Sequence, residues 1–341
     1  MRISSSPAFS IVLFLTVLFS TREPVHLQPK IKMLVVQDNN VKTKDLRKGS
    51  EGNNQQADKV KTINIKTDLV VIDVQVIDRK NQPIFDLIKK EDFTVFEDNV
   101  KQEIAHISRD EAPVSLGFVV DTSGSTINIL KIVCDSIFDL IKQMRHGDEA
   151  FIAQFKYESE LVQEFTSDRG KLEDAIGILN ASGGSSLFDA IIATSDYAKQ
   201  KAKNRRKALI IFSDGQEINS NVKERAVIEA IKQNEVLVYF VGIIGRNPYV
   251  TPTKKDDDLL HYLATSSGAR AFFPKNDNEI LSVVAQIANE LRSQYVLSYY
   301  ATNDKRDGTF RTIRVTINNK SKRKFSARTR QGYYAAIDDG N

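Results

Sequence analysis

The chain has 341 residues, of which 41% are hydrophobic and 27% are charged. This composition is that of a globular protein, and it excludes a chain that is disordered or a coiled coil throughout. The net charge of +4, from 48 basic and 44 acidic side chains, is too balanced to indicate a nucleic acid partner. The single cysteine, Cys134, excludes an internal disulfide and a cysteine-based zinc site, and the four histidines are too scattered to indicate a histidine-based metal site.

The N-terminal residues have the pattern of an export signal. Arg2 supplies a positive charge, and residues 8–19 form an apolar run of twelve residues. A helix that spans a membrane needs roughly 20 such residues, so a secretory signal fits this run better. Leu18 is larger than the residues that usually precede a cleavage site, which leaves open that residues 1–20 are retained as a membrane anchor. We therefore expect an exported protein that is secreted, periplasmic or attached to the cell envelope.

A polar segment follows the export signal. Residues 21–61 are dominated, from residue 30 onward, by Lys, Asp, Asn, Gln and Gly. Such a segment cannot bury enough apolar surface to offset the entropy that is lost on ordering, so we expect a disordered tether.

Residues 62–111 are predicted to form an N-terminal β segment. Apolar and polar residues alternate in a way that indicates strands at 69–77, 92–96 and 102–107. Residues 97–99, Glu-Asp-Asn, lie between the last two strands, and Asp and Asn tolerate the positive φ angles of a hairpin turn. We therefore expect these two strands to form a hairpin.

Residues 112–293 alternate between apolar strands and amphipathic helices. The predicted strands lie at 114–120, 149–155, 161–165, 208–213, 236–241 and 269–273. The predicted helices lie at 129–144, 170–179, 187–203, 222–233, 256–265 and 276–292. Near-continuous apolar strands separated by helices predict a doubly wound α/β fold, with a mostly parallel sheet that is covered on both faces.

Residues 294–341 return to a β pattern, with strands expected at 294–301, 310–318 and 325–335. This C-terminal segment and the N-terminal β segment are each too small to bury a core alone. We therefore predict that the two segments combine into one β-sandwich-like module beside the α/β domain.

Three polar loops lie at the ends of predicted elements of the α/β domain. They are Asp121-Thr122-Ser123-Gly124-Ser125, Ser182-Gly183-Gly184-Ser185-Ser186 and Ser213-Asp214-Gly215. In a doubly wound sheet, ligands bind outside the carboxyl ends of the strands, so we expect these loops to meet there. Their side chains offer only oxygen donors, which suit Mg²⁺ or Mn²⁺, and few of these donors are carboxylates. A bound ion would therefore attract a further anionic oxygen.

These three motifs, in this order, resemble the metal-ion-dependent adhesion site of von Willebrand factor type A domains. The resemblance covers residues 112–293. It implies that Mg²⁺ or Mn²⁺ is held by the side chains of Asp121, Ser123, Ser125, Ser185 and Asp214. Ser185 stands where the family normally has a Thr, and it offers an equivalent hydroxyl. The resemblance also implies that the open position of the ion takes an Asp or Glu carboxylate from a protein partner.

The whole chain also resembles the exported bacterial VWFA-related family. This resemblance rests on residues 91–98 ahead of the domain, 291–300 after it and 330–334 near the end of the chain. There are two departures, because Asn99 stands where a turn Gly is commoner, and Gln216-Glu217 stand where another acidic residue is common. Neither departure concerns the five proposed ligands.

We interpret the chain as an exported, metal-dependent protein-binding module and not as an enzyme. One alternative is a structural scaffold of the cell envelope with an unused metal loop. Another is a serine hydrolase, but Ser123-Gly124-Ser125 lacks the flanking Gly of a G-x-S-x-G elbow, and no histidine is expected beside it. A phosphate-binding loop of the form G-x-x-x-x-G-K-[ST] does not occur in the sequence, which counts against phosphoryl transfer.

Single residues of these motifs also have simpler explanations. Asp121, Ser123 or Ser125 could each cap the first helix of the α/β domain. Asp189 either holds a water molecule beside the metal or has a solvated or packing role. Residues 203–207, Lys-Asn-Arg-Arg-Lys, could bind an anionic surface, but we interpret them as a solvated helix end, because basic residues are common at helix C-termini.

Overall fold

The computed structural model describes residues 68–84, 89–110, 112–243, 254–318 and 325–337. The predicted export signal at 1–20 and the predicted tether at 21–61 lie outside these residues. All of the described residues belong to one unit of the chain, Ile63–Asn341. Among them, no helix combines the length and the apolar character that are needed to cross a membrane.

Strands and helices follow one another through the middle of the described chain, and strands make up most of its two ends. The strands are β1 (Leu69–Ile77), β2 (Phe93–Glu97), β3 (Val100–Gln102), β4 (Ile104–Asp110), β5 (Val114–Asp121), β6 (Glu149–Phe155), β7 (Ser159–Thr166), β8 (Arg206–Ser213), β9 (Leu237–Gly242), β10 (Ala271–Phe272), β11 (Gln294–Tyr300), β12 (Phe310–Ile317), β13 (Ser326–Arg328) and β14 (Gly332–Tyr334). The helices are α1 (Leu130–Lys142), α2 (Arg169–Gly177), α3 (Leu187–Lys201), α4 (Glu224–Asn234), α5 (Lys254–Ser267) and α6 (Asp277–Arg292). Short 3₁₀ turns at Lys90–Asp92 and Gly124–Thr126 precede β2 and α1.

A six-stranded sheet forms the centre of the α/β domain, in the order β10-β9-β8-β5-β6-β7. Neighbouring strands are parallel except β6 and β7, which form an antiparallel hairpin at one edge. Helices α1, α2 and α6 cover one face of the sheet, and α3, α4 and α5 cover the other. The predicted doubly wound, mostly parallel α/β fold is therefore confirmed.

The central strand β5 shows why the sequence folds in this way. All eight of its residues are buried. Phe118 and Val120 belong to the core beneath α1 and α6, whereas Val119 belongs to the core beneath α3. A strand that is covered on both faces needs apolar residues at consecutive positions, and this is the pattern that the sequence shows.

The β-sandwich is built from strands at both ends of the described chain. One antiparallel sheet has the order β13-β1-β11-β4, and the other has the order β14-β12-β2-β3. The two sheets share a core that includes Ile72, Val95, Leu297 and Val315. Each segment buries apolar side chains against the other, which supplies a core that neither segment has alone. The predicted β-sandwich-like module from the N- and C-terminal segments is therefore confirmed.

The pairing of some strands in this module differs from the prediction. The hairpin turn is placed correctly, because Asp98 and Asn99 have φ angles of 47° and 65°. Its second strand, however, is β3, whereas the strand predicted at 102–107 is observed as β4 and pairs with β11 in the other sheet. The strand predicted at 325–335 is likewise divided into β13 and β14, which belong to different sheets. An alternation of apolar residues identifies a strand, but it does not identify the sheet that the strand joins.

The prediction of a solvated helix end at residues 203–207 is wrong for Arg206, although Lys203 and Arg205 are exposed. Helix α3 ends at Lys201, and Arg206 begins β8 with 2% of its surface exposed. Nη2 of Arg206 donates to Oδ1 of Asp73 at 3.1 Å, and Arg205 donates to both carboxylate oxygens of Asp73 at 2.7 and 2.8 Å. These residues therefore join the α/β domain to strand β1 of the sandwich.

Candidate metal centre

Asp121 ends strand β5 at the carboxyl edge of the central sheet, and it is 1% exposed. Its Oδ1 accepts a hydrogen bond of 2.9 Å from the backbone N–H of Ser123, so the chain turns directly after the strand. The hydroxyl of Thr126 holds this turn, because it donates to the carbonyls of Asp121 and Ser123 at 3.0 and 2.9 Å. The hydroxyl oxygens of Ser123 and Ser125 lie 2.9 Å apart. The first loop thus presents a carboxylate and two hydroxyls together.

The second loop, which precedes α3, lies against this turn. The backbone N–H of Gly124 donates to the carbonyl of Gly183 at 3.0 Å. Gly183 has a φ angle of +77°, a conformation that residues with a side chain rarely adopt. These features bring Ser185 to the end of β5, where its hydroxyl donates to Oδ2 of Asp121 at 3.4 Å.

The third loop follows strand β8. Ser213, the last residue of the strand, donates its hydroxyl to Oδ2 of Asp121 at 2.9 Å. Oδ1 of Asp214 accepts the backbone N–H of Gln216 at 3.0 Å. Oδ2 of Asp214 is buried, and it accepts no hydrogen bond from any residue that the structure describes. A buried carboxylate oxygen without a partner costs free energy, which favours a ligand that completes the site.

The two carboxylates of this cluster repel each other. Burial, together with the negative charge of Asp214, raises the pKa of Asp121 to about 6. Hydrogen bonds from Ser123 and Ser213 act in the opposite direction but do not offset these two effects. A nearby divalent cation would remove the repulsion, because its charge stabilises both ionised carboxylates.

The donor set fits Mg²⁺ or Mn²⁺, which bind hard oxygen ligands and retain several waters. Within the described residues, no group of three or more His, Cys, Asp or Glu side chains is placed to hold a metal ion. The cluster instead combines two carboxylates with serine hydroxyls. The predicted ligands that the structure brings together are Asp121, Ser123, Ser125, Ser185 and Asp214. Their binding of a metal ion stays a prediction.

Two supporting side chains were not among the predicted ligands. The hydroxyl of Ser213 donates a hydrogen bond to the carboxylate of Asp121. The carboxylate of Glu217 accepts hydrogen bonds of 2.8 Å from the backbone N–H of Phe188 and from both the hydroxyl and the backbone N–H of Ser220. Glu217 therefore joins the third loop to the first turn of α3. Both residues stand beside the third polar motif, but the local sequence does not show which groups they contact.

Asp189 has a packing role, which is one of the interpretations that its position in the sequence allowed. Its carboxylate accepts the backbone N–H of Asn221 at 3.0 Å and that of Val222 at 3.3 Å. It also accepts the side-chain amide of Asn221 at 3.0 Å. Asp189 therefore fixes the chain that follows the third loop.

Several solved structures match the chain at low sequence identity. The conserved hypothetical protein BatB from Bacteroides thetaiotaomicron is 15% identical and covers 53% of this chain and 100% of its own, with a TM-score of 0.43. A von Willebrand factor type A protein from Catenulispora acidiphila is 11% identical and covers 80% of this chain and 74% of its own, with a TM-score of 0.47. The vWF domain of the type V pili tip protein Mfa5 from Porphyromonas gingivalis is 13% identical and covers 53% of this chain and 96% of its own, with a TM-score of 0.44. No curated protein matches the chain.

The family model of the von Willebrand factor type A domain matches residues 116–216. The match begins within β5 and ends directly after the third loop, so it spans all of the loops that form the cluster. It agrees with the resemblance that the three motifs carry. Residues 116–216 therefore have the sequence of a von Willebrand factor type A domain.

Proposed function

We propose that the chain is an exported protein that binds a protein partner through a divalent cation. The observation that carries this proposal is the convergence of two buried carboxylates and three serine hydroxyls at the carboxyl edge of the sheet. Oδ2 of Asp214 has no hydrogen bond within the described residues. Burial and the charge of Asp214 raise the pKa of Asp121. Both features favour a bound cation.

In this proposal, the residues of the cluster hold the ion and do not react. Ser123, Ser125 and Ser185 supply neutral oxygen donors, and Asp121 and Asp214 supply negative charge directly or through water. A bound Mg²⁺ or Mn²⁺ supplies an electrophilic open position, which an Asp or Glu carboxylate of the partner fills. The affinity for the partner therefore depends on the concentration of the metal ion.

The arrangement of the hydroxyls favours this function over hydrolysis. A serine hydrolase needs a base beside its nucleophile. The hydrogen bonds described for the hydroxyls of Ser123 and Ser185 are to Ser125 and to the carboxylate of Asp121, and none of them is to a histidine, the base that such enzymes most often use. A scaffold with an unused metal loop differs from our proposal in a measurable respect, because its stability would not respond to metal ions.

Thermal denaturation in EDTA and in increasing Mg²⁺ or Mn²⁺ tests metal binding. An ion at a hundredfold its dissociation constant stabilises a protein by about 2.7 kcal/mol, which raises the Tm of a domain of this size by about 5–10 °C. We expect Asp121→Ala to abolish the rise and Ser185→Ala to reduce it. Asp135→Ala removes an exposed carboxylate of α1 and is expected to leave the rise unchanged. A rise that persists in Asp121→Ala would overturn the proposed site.

Partner binding is tested by capture on the immobilised full chain, from an extract of cell-envelope proteins, with and without EDTA. We expect a captured protein that is released by EDTA, that is lost with Asp121→Ala and that is retained with Asp135→Ala. Capture that is equal in EDTA and in Mg²⁺ would contradict a metal-dependent interaction.

Export is a separate part of the proposal, and it rests on the sequence of residues 1–20. Cell fractionation and N-terminal sequencing of the full-length product distinguish a cleaved signal from a retained anchor. A product that keeps its first residues and stays in the cytoplasm would contradict export.

A further inference from the structure

Exposed apolar side chains border the proposed metal site. Ile127, Tyr157 and Ile218 are large, and 62%, 63% and 64% of their surfaces are exposed. Each belongs to a different connection at the carboxyl edge of the central sheet, namely after β5, between β6 and β7, and after β8. Single exposed apolar residues are common in soluble proteins, but a group of them beside a polar site is typical of an interaction surface.

Tyr157 is held against the second loop of the site. Its backbone carbonyl accepts the hydroxyl of Ser186 at 2.9 Å. Its ring lies over two glycines, since a Cβ atom added to Gly183 or to Gly184 would be 2.6 or 2.7 Å from a ring carbon. The missing side chains of these glycines therefore provide the space that the ring occupies. The ring therefore packs on the two residues that precede Ser185, and yet it remains exposed.

The two isoleucines are fixed by the other loops of the site. The backbone N–H of Ile218 donates to the carbonyl of Ser185 at 3.1 Å. Ile127 directly follows the 3₁₀ turn Gly124–Thr126, and the hydroxyl of Thr126 donates to the carbonyl of Asp121 at 3.0 Å. The apolar side chains are thus attached to the same backbone segments that position the proposed ligands.

We propose that Ile127, Tyr157 and Ile218, which we call the apolar rim, bind apolar side chains that flank the Asp or Glu of a protein partner. This inference rests on the proposed function, because the metal ion places the carboxylate of the partner at the centre of the site. Nζ of Lys156 donates to the hydroxyl of Ser182 at 3.3 Å, which adds positive charge beside the second loop. With the cation bound, an electrophilic open position bordered by apolar groups is complementary to a carboxylate with apolar neighbours.

Two blocked peptides of equal charge test the apolar rim: acetyl-Leu-Asp-Leu-amide and acetyl-Ser-Asp-Ser-amide. Each is titrated into the full chain saturated with Mn²⁺, and binding is followed by the loss of water-proton relaxation as the peptide displaces metal-bound water. Because leucine side chains gain from burial, we expect the leucine peptide to bind about tenfold more tightly. In the double variant Tyr157→Ser/Ile218→Ser, we expect this preference to fall to about twofold.

The variant Val100→Ser is the matched control. It removes an apolar side chain that is 55% exposed on β3 of the sandwich, away from the central sheet. We expect it to retain the full preference for the leucine peptide. A preference that falls equally in Val100→Ser would overturn the assignment to the apolar rim.

Mn²⁺ binding is measured first, without peptide, so that the two proposals can fail separately. If the wild-type protein does not bind Mn²⁺, the proposed function and the apolar rim both fail. If it binds Mn²⁺ but binds the two peptides equally, or binds neither, the apolar rim is overturned while the metal site stands. A leucine preference that survives in the double variant also overturns the rim. If the double variant does not bind Mn²⁺, the single variant Ile127→Ser takes its place in the comparison.

Discussion

Two clusters of buried charged side chains in this protein differ in whether each carboxylate has a positively charged partner. At the carboxyl edge of the central sheet, Asp121 faces the like charge of Asp214 and accepts hydrogen bonds from neutral groups. On α6, Glu290 is also fully buried, but it lies 2.6 Å from Arg270 and 3.5 Å from Arg328. The second cluster contains its own counter-ions, whereas the first gathers two acids and no base among the contacts described.

The second cluster, which we call the arginine junction, connects the sandwich to the α/β domain. Arg206 links Glu290 and its arginines to Asp73, because it also donates to the carbonyl of Leu291, the residue after Glu290, at 3.1 Å. The members of the junction are Asp73, Arg205, Arg206, Arg270, Glu290 and Arg328. They come from β1 and β13 on one side, and from the start of β8, the residue before β10 and α6 on the other. The two clusters represent two kinds of buried carboxylate. Where arginines accompany it, it belongs to the structure of the fold, and where another acid accompanies it, a ligand is expected.

The largest effect is expected from removing the charge of Glu290. Glu290→Gln leaves Arg270 and Arg328 without their buried counter-ion, and breaking a buried ion pair costs about 3 kcal/mol or more of unfolding free energy. Urea denaturation measures this loss. The control is Asp135→Asn, because its ion pair with Lys131 is exposed and is expected to contribute little. Equal losses in the two variants would remove the contrast between a buried junction and an ordinary surface pair.

A smaller loss of unfolding free energy, which depends on pH, is expected from Asp73→Asn. Burial by itself would raise the pKa of Asp73, but hydrogen bonds and charges from Arg205 and Arg206 outweigh it, so the pKa lies below the ordinary value of 3.8. An acid whose pKa is lowered by folding stabilises the protein above its ordinary pKa, and this stabilisation is lost as the pH falls through the folded value. We expect Asp73→Asn to cost about 2 kcal/mol at pH 7 and progressively less below about pH 4.

Urea denaturation of the wild type and Asp73→Asn across this pH range checks the expectation. The gap between the two unfolding free energies should stay constant near neutral pH and close under acid conditions. A gap that is unchanged in acid would show that Asp73 acts through its shape or its neutral hydrogen bonds, and the electrostatic contrast with Asp121 would weaken.

The central domain was predictable because its strands carry a local signal. A strand such as β5 is buried on both faces, so its apolar residues are consecutive and its bounds are clear. The sandwich was less predictable because its strands alternate whichever sheet they join. The sequence therefore predicts the second strand of the hairpin at 102–107, whereas in the structure this strand is β3 and β4 lies in the other sheet.

The candidate site could likewise be predicted from the sequence, whereas the arginine junction could not. The first and third polar loops could be placed together from the sequence because each follows a parallel strand, and the carboxyl ends of such strands share one edge. The second loop joins two helices, so only the resemblance of its motif predicts its place at this edge. The sequence predicts a solvated helix end at Arg206, because no local pattern indicates its partner, Asp73, which lies 133 positions away in the chain. The exposure of Tyr157 likewise depends on how the hairpin packs over Gly183 and Gly184, which only the folded structure shows.

The smallest effect on the free energy of unfolding is expected from Asp121→Asn in the metal-free protein, and this effect is a gain in stability. Because burial and the charge of Asp214 raise the pKa of Asp121 to about 6, the folded protein loses stability as the pH rises from about 4 to about 6. Asp121→Asn removes this charge, and the amide can still accept the backbone N–H of Ser123 and donate to the hydroxyls of Ser185 and Ser213. We expect the variant to be more stable than the wild type by about 1–2 kcal/mol at pH 7 in EDTA, and equally stable near pH 4.

The neighbouring carboxylate of Asp189 is the matched control for this gain. It accepts hydrogen bonds from the backbone of Asn221 and Val222, so Asp189→Asn is expected to destabilise the protein in EDTA. Saturating Mg²⁺ should then reverse the order at Asp121, since the wild type gains the free energy of metal binding and Asp121→Asn does not. If Asp121→Asn is instead destabilised in EDTA to the same extent as Asp189→Asn, the charge of Asp121 is already balanced within the fold, and the two buried clusters do not differ in the way proposed.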